Sequence, residues 1–162
     1  VKLENATSPI LSLRHFVPAD YQELISWFPS PSDVRLFAGT SAEWPLTIEN
    51  LSARAEAGIS EAFTVVVDDA ETAVGHVELI RETAEQVRLA RIAIAPNLRG
   101  QGLIAQLLDC ASDHARASGF RWVSLLVVPD NASALSAYIR AGFVSIGPSG
   151  DYPDYTRMLL RI

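Results

Sequence analysis

The apolar positions of this chain fall into stretches of period two and stretches of period near 3.6, and the switches between them outline the elements. LSLRHF (11–16) reads as a first strand. A helix follows from Pro18-Ala19-Asp20, where Asp20 with Glu23 resembles a capping box and Leu24, Ile25 and Phe28 supply an apolar face. FPSPSD (28–33) reads as a turn-rich break. Thr47 is placed to cap a second helix over about 48–57, which ends at Gly58. Two strands, 63–67 and 73–80, are joined by the polar turn DDAET, and a third runs over 87–95. A long helix extends from near Gly102 to Ser118 and stops at Gly119. WVSLLVV (122–128) is almost continuously apolar, as in a strand buried on both faces. Asn131 caps a short helix that runs to Ala141 and ends at Gly142, and strands over 143–146 and 155–160 follow.

The resulting order is β-α-α-β-β-β-α-β-α-β-β. The central strand-helix-strand unit, 87–128, is expected to be parallel with a right-handed crossover. The hairpins flanking it are antiparallel. The expected fold is α/β: a mixed, mostly antiparallel sheet with a central parallel β-α-β unit and helices on both faces, forming one domain over 1–162.

Composition narrows the function classes. Residues of apolar type make up 49% of the chain, enough for a core without metal or disulfide staples. No uninterrupted apolar run is long enough to span a bilayer, and VKLENATSPI does not read as a secretory leader. The single cysteine, Cys110, lies mid-helix among apolar residues and reads as core, and a cytoplasmic location is the simplest expectation. Thirteen Lys and Arg against nineteen Asp and Glu give a net charge of −6 with no basic cluster, which argues against nucleic acid and leans toward cationic partners such as amines. The three histidines, His15, His76 and His114, show no metal-ligand spacing, so no metal is expected.

One stretch carries chemistry. APNLRGQGLIAQLL (95–108) contains Gly100-Gln101-Gly102 and then Leu103-Ile104-Ala105, which also spells a dinucleotide fingerprint. That reading fails: four residues separate the strand from the first glycine, and the next strand carries no acid for a ribose. A nucleotide-triphosphate loop fails too, because Leu103 stands where Lys is needed. The local physics still favours an anion. The glycines permit a tight backbone turn, and the amides from Gly100 to Ala105 sit at the positive end of the following helix. Arg99 adds a charge at the mouth.

A second segment, NASALSAYIRAGF (131–143), places Ala134 and Tyr138 four apart on one helix face. The two segments, in this order and separated by a helix and a strand, resemble the GNAT superfamily of acyl-CoA-dependent N-acetyltransferases. Residues 99–104 look like its Arg/Gln-x-x-Gly-x-Gly/Ala pyrophosphate loop, with Ile104 where Gly or Ala is usual. Residues 131–143 look like its Asn…Tyr helix.

The resemblance implies a V-shaped opening between the strands 87–95 and 122–128. In it, acetyl-CoA, as cosubstrate, has its pantetheine arm against the backbone of Ile92, Ala93 and Ile94. Its pyrophosphate meets Arg99, Gly100, Gln101, Gly102, Leu103, Ile104 and Ala105. Asn131 bonds the arm, and Tyr138 stands beside the sulfur as the acid for the leaving thiolate. The implied reaction is direct attack of a primary amine on the thioester. Some family members carry a glutamate on the strand before the Asn helix, where this chain has Leu125-Leu126. Glu78 is then the leading candidate base, and His76 shares its strand face. The acceptor is left open between a small amine and a protein N-terminus or lysine; an acidic pocket points to polyamine or aminoglycoside, an open groove to a peptide. Trp27, Trp44 and the loop DYPDY (151–155) are candidates for the acceptor side. A non-catalytic acyl-CoA-binding module is the alternative, and a homodimer is compatible with the resemblance.

Overall fold

A computed structural model describes residues 9–68 and 70–162; the first eight residues of the N-terminal stretch read above for a leader, and Asp69 of the turn DDAET, lie outside them. The elements are β1 (Leu11–His15), α1 (Tyr21–Ser26), α2 (Pro31–Ala38), α3 (Ile48–Glu56), β2 (Glu61–Val67), β3 (Ala73–Arg81), β4 (Gln86–Ile94), α4 (Leu103–Ala117), β5 (Trp122–Val127), α5 (Ala132–Arg140), β6 (Val144–Pro148) and β7 (Thr156–Arg161). Among the described residues seven strands form one sheet in the order β1-β2-β3-β4-β5-β7-β6. Among the described residues only β4 and β5 pair in parallel, with α4 as their crossover; every other neighbouring pair is antiparallel.

One expectation fails in the first helical segment. The stretch around FPSPSD is the start of a helix, α2. Ser30 is its N-cap, its Oγ accepting the Asp33 N–H at 3.2 Å, and Pro31 takes the first helical position, where the missing N–H has no intrahelical carbonyl to lose. The Asp20–Glu23 box also differs. Asp20 closes a 3₁₀ turn over 18–20 by accepting the Val17 N–H at 2.9 Å, and it takes Arg14 bidentately at 2.7 and 2.8 Å and the Thr64 hydroxyl at 2.8 Å. Burial alone would raise its pKa, but these donors hold it at about 2. Thr47 and Asn131 cap α3 and α5 as their positions predict.

Both faces of the sheet are covered. Helix α4 buries Leu103, Leu107, Leu108, Ala111 and Ala115 on one stripe, against Val77, Leu79, Leu89, Val123 and Leu125 of the sheet. Gly75 of β3 permits this approach: a Cβ there would lie 3.1 Å from a Leu107 methyl and 2.9 Å from the Ala93 carbonyl oxygen. Helices α1–α3 form a second core on the opposite face from Leu24, Trp27, Phe28, Val34, Phe37 and Leu51 with Ala93 and Ala95. No helix among the described residues is long and apolar enough to cross a membrane.

Candidate active site

The β4–β5 ladder holds from Gln86–Trp122 to Leu89–Leu125 and then stops. Just beyond, β4 bulges. Its register against β3 shifts between Glu78–Ala90 and His76–Ala93, so Arg91 and Ile92 together oppose Val77, and Arg91 takes a φ of +47°. The extra residue reverses the side-chain alternation. Before the bulge Val87 and Leu89 face the α4 core; after it Ile92 and Ile94 do, while Ala93 and Ala95 turn to α1–α3. The sheet therefore opens between β4 and β5, and cavities lie on both sides of the split.

The larger, about 470 Å³, is lined by Ile92, Ala93 and Ile94 of β4, by Arg99, Gly100, Gly102, Leu103 and Ile104 of the turn, and by Asn131 and Tyr138. Gly100 and Gly102 have φ of +75° and +79°, values that exclude most L side chains, and a Cβ on either would meet open space. Gly102 is the N-cap of α4 and offers no side chain, so the amides of Leu103 and Ile104 are left for a ligand, while the Ala105 N–H donates to the Gly102 carbonyl at 3.3 Å. Arg99 is anchored from behind: its Nε donates to the Ile94 carbonyl at 3.0 Å. Gln101 and Ala105 are exposed and are not in the cavity wall; the Gln101 amide donates instead to the Asn97 carbonyl at 3.3 Å. Ile104 is half-buried, packs against the core and still lines the cavity.

Asn131 and Tyr138, with Leu36 and Phe37, line both cavities. Asn131 is fixed by its cap, with Oδ1 accepting the Ala134 N–H at 3.2 Å. Tyr138 lies one helical turn beyond Ala134 and is buried; that burial pushes its phenol up to about 12.

The second cavity, about 190 Å³, is walled by residues 35–41, Arg54 of α3, Arg88 to Arg91 of β4, residues 126–128, and Tyr152 and Tyr155 of the β6–β7 loop. The DYPDY loop thus reaches this side through its two tyrosines, whereas Trp27 is buried in the second core and Trp44 is outside both walls. Glu78 lies behind this wall, 3% exposed, with Oε1 at 2.9 Å from Arg91 Nη1 and Oε2 at 3.3 Å from Arg54 Nη1. Burial would raise its pKa, but His76, Arg91 and Arg54 outweigh that and hold it at about 2. His76 is buried, its Nε2 stands 4.0 Å from Glu78, and neither ring nitrogen has a hydrogen-bond partner. Burial pushes the His76 pKa down. A carboxylate tied to two guanidiniums is a poor proton acceptor, so this geometry does not suit the sequence expectation of Glu78 as base.

Arg54, Arg88 and Arg91 are the residues that sequence reading missed. Their one local signal is the spacing of Arg88 and Arg91 in QVRLARIAI, three apart in a strand whose apolar positions otherwise alternate by two. Among the described residues no cluster of His, Cys, Asp or Glu could hold a metal ion.

The model of the Acetyltransferase (GNAT) family matches residues 21–143. The chain resembles the spermidine N-acetyltransferase of Vibrio cholerae, solved with CoA and spermine, at 23% identity and a TM-score of 0.74, over 94% of this chain and 95% of that one. It also resembles AAC(6')-Ib, solved with ribostamycin and coenzyme A, at 16% identity and a TM-score of 0.77, over 93% of each chain. In sequence it is 34% identical over 73 residues to the tRNA(Met) cytidine acetyltransferase TmcA 2 of Saccharolobus solfataricus, a match that covers 41% of this chain and 9% of that protein. The split sheet, the glycine turn and the match over 21–143 agree, and the chain belongs to the GNAT family of acetyltransferases.

Proposed function

We propose that this protein transfers an acetyl group from acetyl-CoA to a primary amine by direct attack of the amine on the thioester. The observation that carries the reading is that Asn131 and Tyr138 stand in the walls of both cavities: a donor on the glycine-turn side and an acceptor on the arginine side would share one buried phenol. The residues present fit acetyl-CoA. Open space at the two glycines leaves room for a pyrophosphate against the first-turn amides, and β4 beyond Leu89 has an edge unpaired with β5. Ile92, Ala93 and Ile94 would hold the pantetheine arm, Asn131 would bond it, and Arg99 with the turn 100–105 would hold the phosphates. Acetyl-CoA supplies the activated carbonyl.

The rest is the work of this chain. With its phenol raised to about 12, Tyr138 stays protonated throughout the physiological range and is a donor for the departing thiolate. Glu78 is a positioning residue. It fixes Arg91 and hence the bulge that opens the sheet, while the amine gives up its proton without a carboxylate base.

The test is calorimetric titration with acetyl-CoA, with NAD as control, followed by turnover on a panel of amines with wild type and Tyr138→Phe. We expect binding of acetyl-CoA alone, and a fall in kcat of roughly 10²–10⁴ for the variant with that binding kept. Absence of acetyl-CoA binding by the folded protein refutes the reading.

A further inference from the structure

The acceptor-side cavity has a charge opposite to that of the whole chain. Arg35, Arg54, Arg88 and Arg91 line it, and among the described residues no aspartate or glutamate does. The carboxylates behind the wall do not neutralise it. Glu78 is shared by Arg54 and Arg91, and Glu82 is shared by Arg88 at 3.2 Å and Arg157 at 2.9 Å. Four guanidiniums thus share two carboxylates, a local excess of two positive charges in a protein of net charge −6. Arg35 is exposed and paired with Asp130 at 3.4 Å, so it adds nothing to the excess. Asp151 and Asp154, in the loop that brings Tyr152 and Tyr155 to the wall, are exposed and do not line the cavity.

Donors are left over as well. A guanidinium carries five N–H groups. Arg54 gives one nitrogen to Glu78, and Arg88 directs only its Nε toward Glu82, without hydrogen-bond geometry. The Nε atoms of Arg88 and Arg91 are buried with no hydrogen-bond partner. Buried donors in excess of acceptors, in a cavity with net positive charge, call for an oxyanion.

We infer that the acceptor is an amine that carries its own carboxylate or a like oxyanion, such as an α-amino acid, and is not a polycation. This rests on the acetyl-transfer reading above. The arginines would clamp the anion and leave the amino group to point toward Tyr138. A positive field also disfavours an ammonium, so the amine that enters the site is more readily neutral than in water. That answers the missing base. Spermine and ribostamycin, the amines seen with the two related structures, are polycations that this wall would repel.

Matched pairs separate the possibilities. Acetylation of L-phenylalanine is compared with phenethylamine, and L-methionine with 3-(methylthio)propylamine. The aminophosphonate analogue of phenylalanine distinguishes carboxylate from phosphonate, and spermidine serves as the polycation. The anionic member of each pair should have a kcat/KM about tenfold or more higher at low salt, with the advantage shrinking as salt rises. Arg54→Gln and Arg88→Gln should each erase much of that advantage through KM, and the lysine replacements should restore part of it. Each single variant leaves its carboxylate paired, Glu78 with Arg91 and Glu82 with Arg157. Acetyl-CoA binding and thermal melting report that the fold survives. Equal or better use of the uncharged-chain amines or of spermidine overturns the inference and leaves acetyl transfer standing. Should the protein bind acetyl-CoA without turning over any of these amines, calorimetry of CoA-loaded protein with N-acetylphenylalanine and N-acetylphenethylamine decides it: tighter binding of the first supports the inference, and equal binding or none overturns it. Failure to bind acetyl-CoA at all removes the acetyl-transfer reading itself.

Discussion

Glu78→Gln separates a positioning role from a base. In the wild type the Glu78 carboxylate neutralises Arg91, whose side chain is 2% exposed and cannot be hydrated in its place. Glutamine keeps the shape and removes the charge. Losing one partner of a buried pair costs about 3–5 kcal/mol. The depressed pKa gives a similar figure: a carboxyl lowered from 4.5 to about 2 contributes roughly 3 kcal/mol near neutrality. The sign follows from the depressed pKa. The contribution is fully present above 4.5 and is lost as pH falls toward about 2, because the folded state must then take up a proton it otherwise excludes. Thermal melts at pH 7 should therefore show the variant lower in Tm by about 6–20 °C, and the gap between variant and wild type should narrow below pH 4.5. In parallel, the pH profile of kcat/KM should keep its acid limb, since that limb belongs to the amine. A variant with unchanged Tm and a kcat reduced about 10²-fold, its acid limb gone, would make Glu78 the base and refute the positioning role.

Gly102→Ala places a side chain at a φ of +79°, at a backbone cost of about 1–2 kcal/mol, with nothing for the new methyl to strike. Stability should fall by that amount and the Kd for acetyl-CoA should rise, read by melting and calorimetry on the same sample. Asp20→Asn should cost about 1–2 kcal/mol at pH 7, discounted because Arg14 is a third exposed, and the deficit should shrink in chemical denaturation as pH drops from 3.8 toward about 2. Gly39→Ala drives a Cβ into the Tyr155 hydroxyl, so it should displace the wall of the acceptor cavity and raise the acceptor KM while the Kd for acetyl-CoA stays the same.

What could be read from the chain follows the range of the forces involved. Capping by Thr47 and Asn131, the left-handed glycines of the turn, the amphipathic stripe of α4 and the buried run of β5 are written within a few residues of where they act. These elements, with the handedness of the parallel crossover, determine the sheet and the donor side of the site. Even α2 was written locally, since Ser30-Pro31 is a cap and a first helical residue; proline and serine serve turns equally, and only packing of Val34 and Phe37 into the second core separates the two uses.

The acceptor side was decided by tertiary structure. Arg54, Arg88, Arg91 and Arg157 come from α3, β4 and β7, and Glu78 and Glu82 from β3 and the turn after it. Sheet order and the bulge at Arg91 bring them together, and neither is encoded at any one position. Net charge is a sum that ignores position, so a chain that leans toward cations as a whole encloses a cavity built for an anion. The same juxtaposition converts Glu78 from an isolated strand acid into half of a buried ion pair, because a carboxylate's chemistry is set by what surrounds it in space.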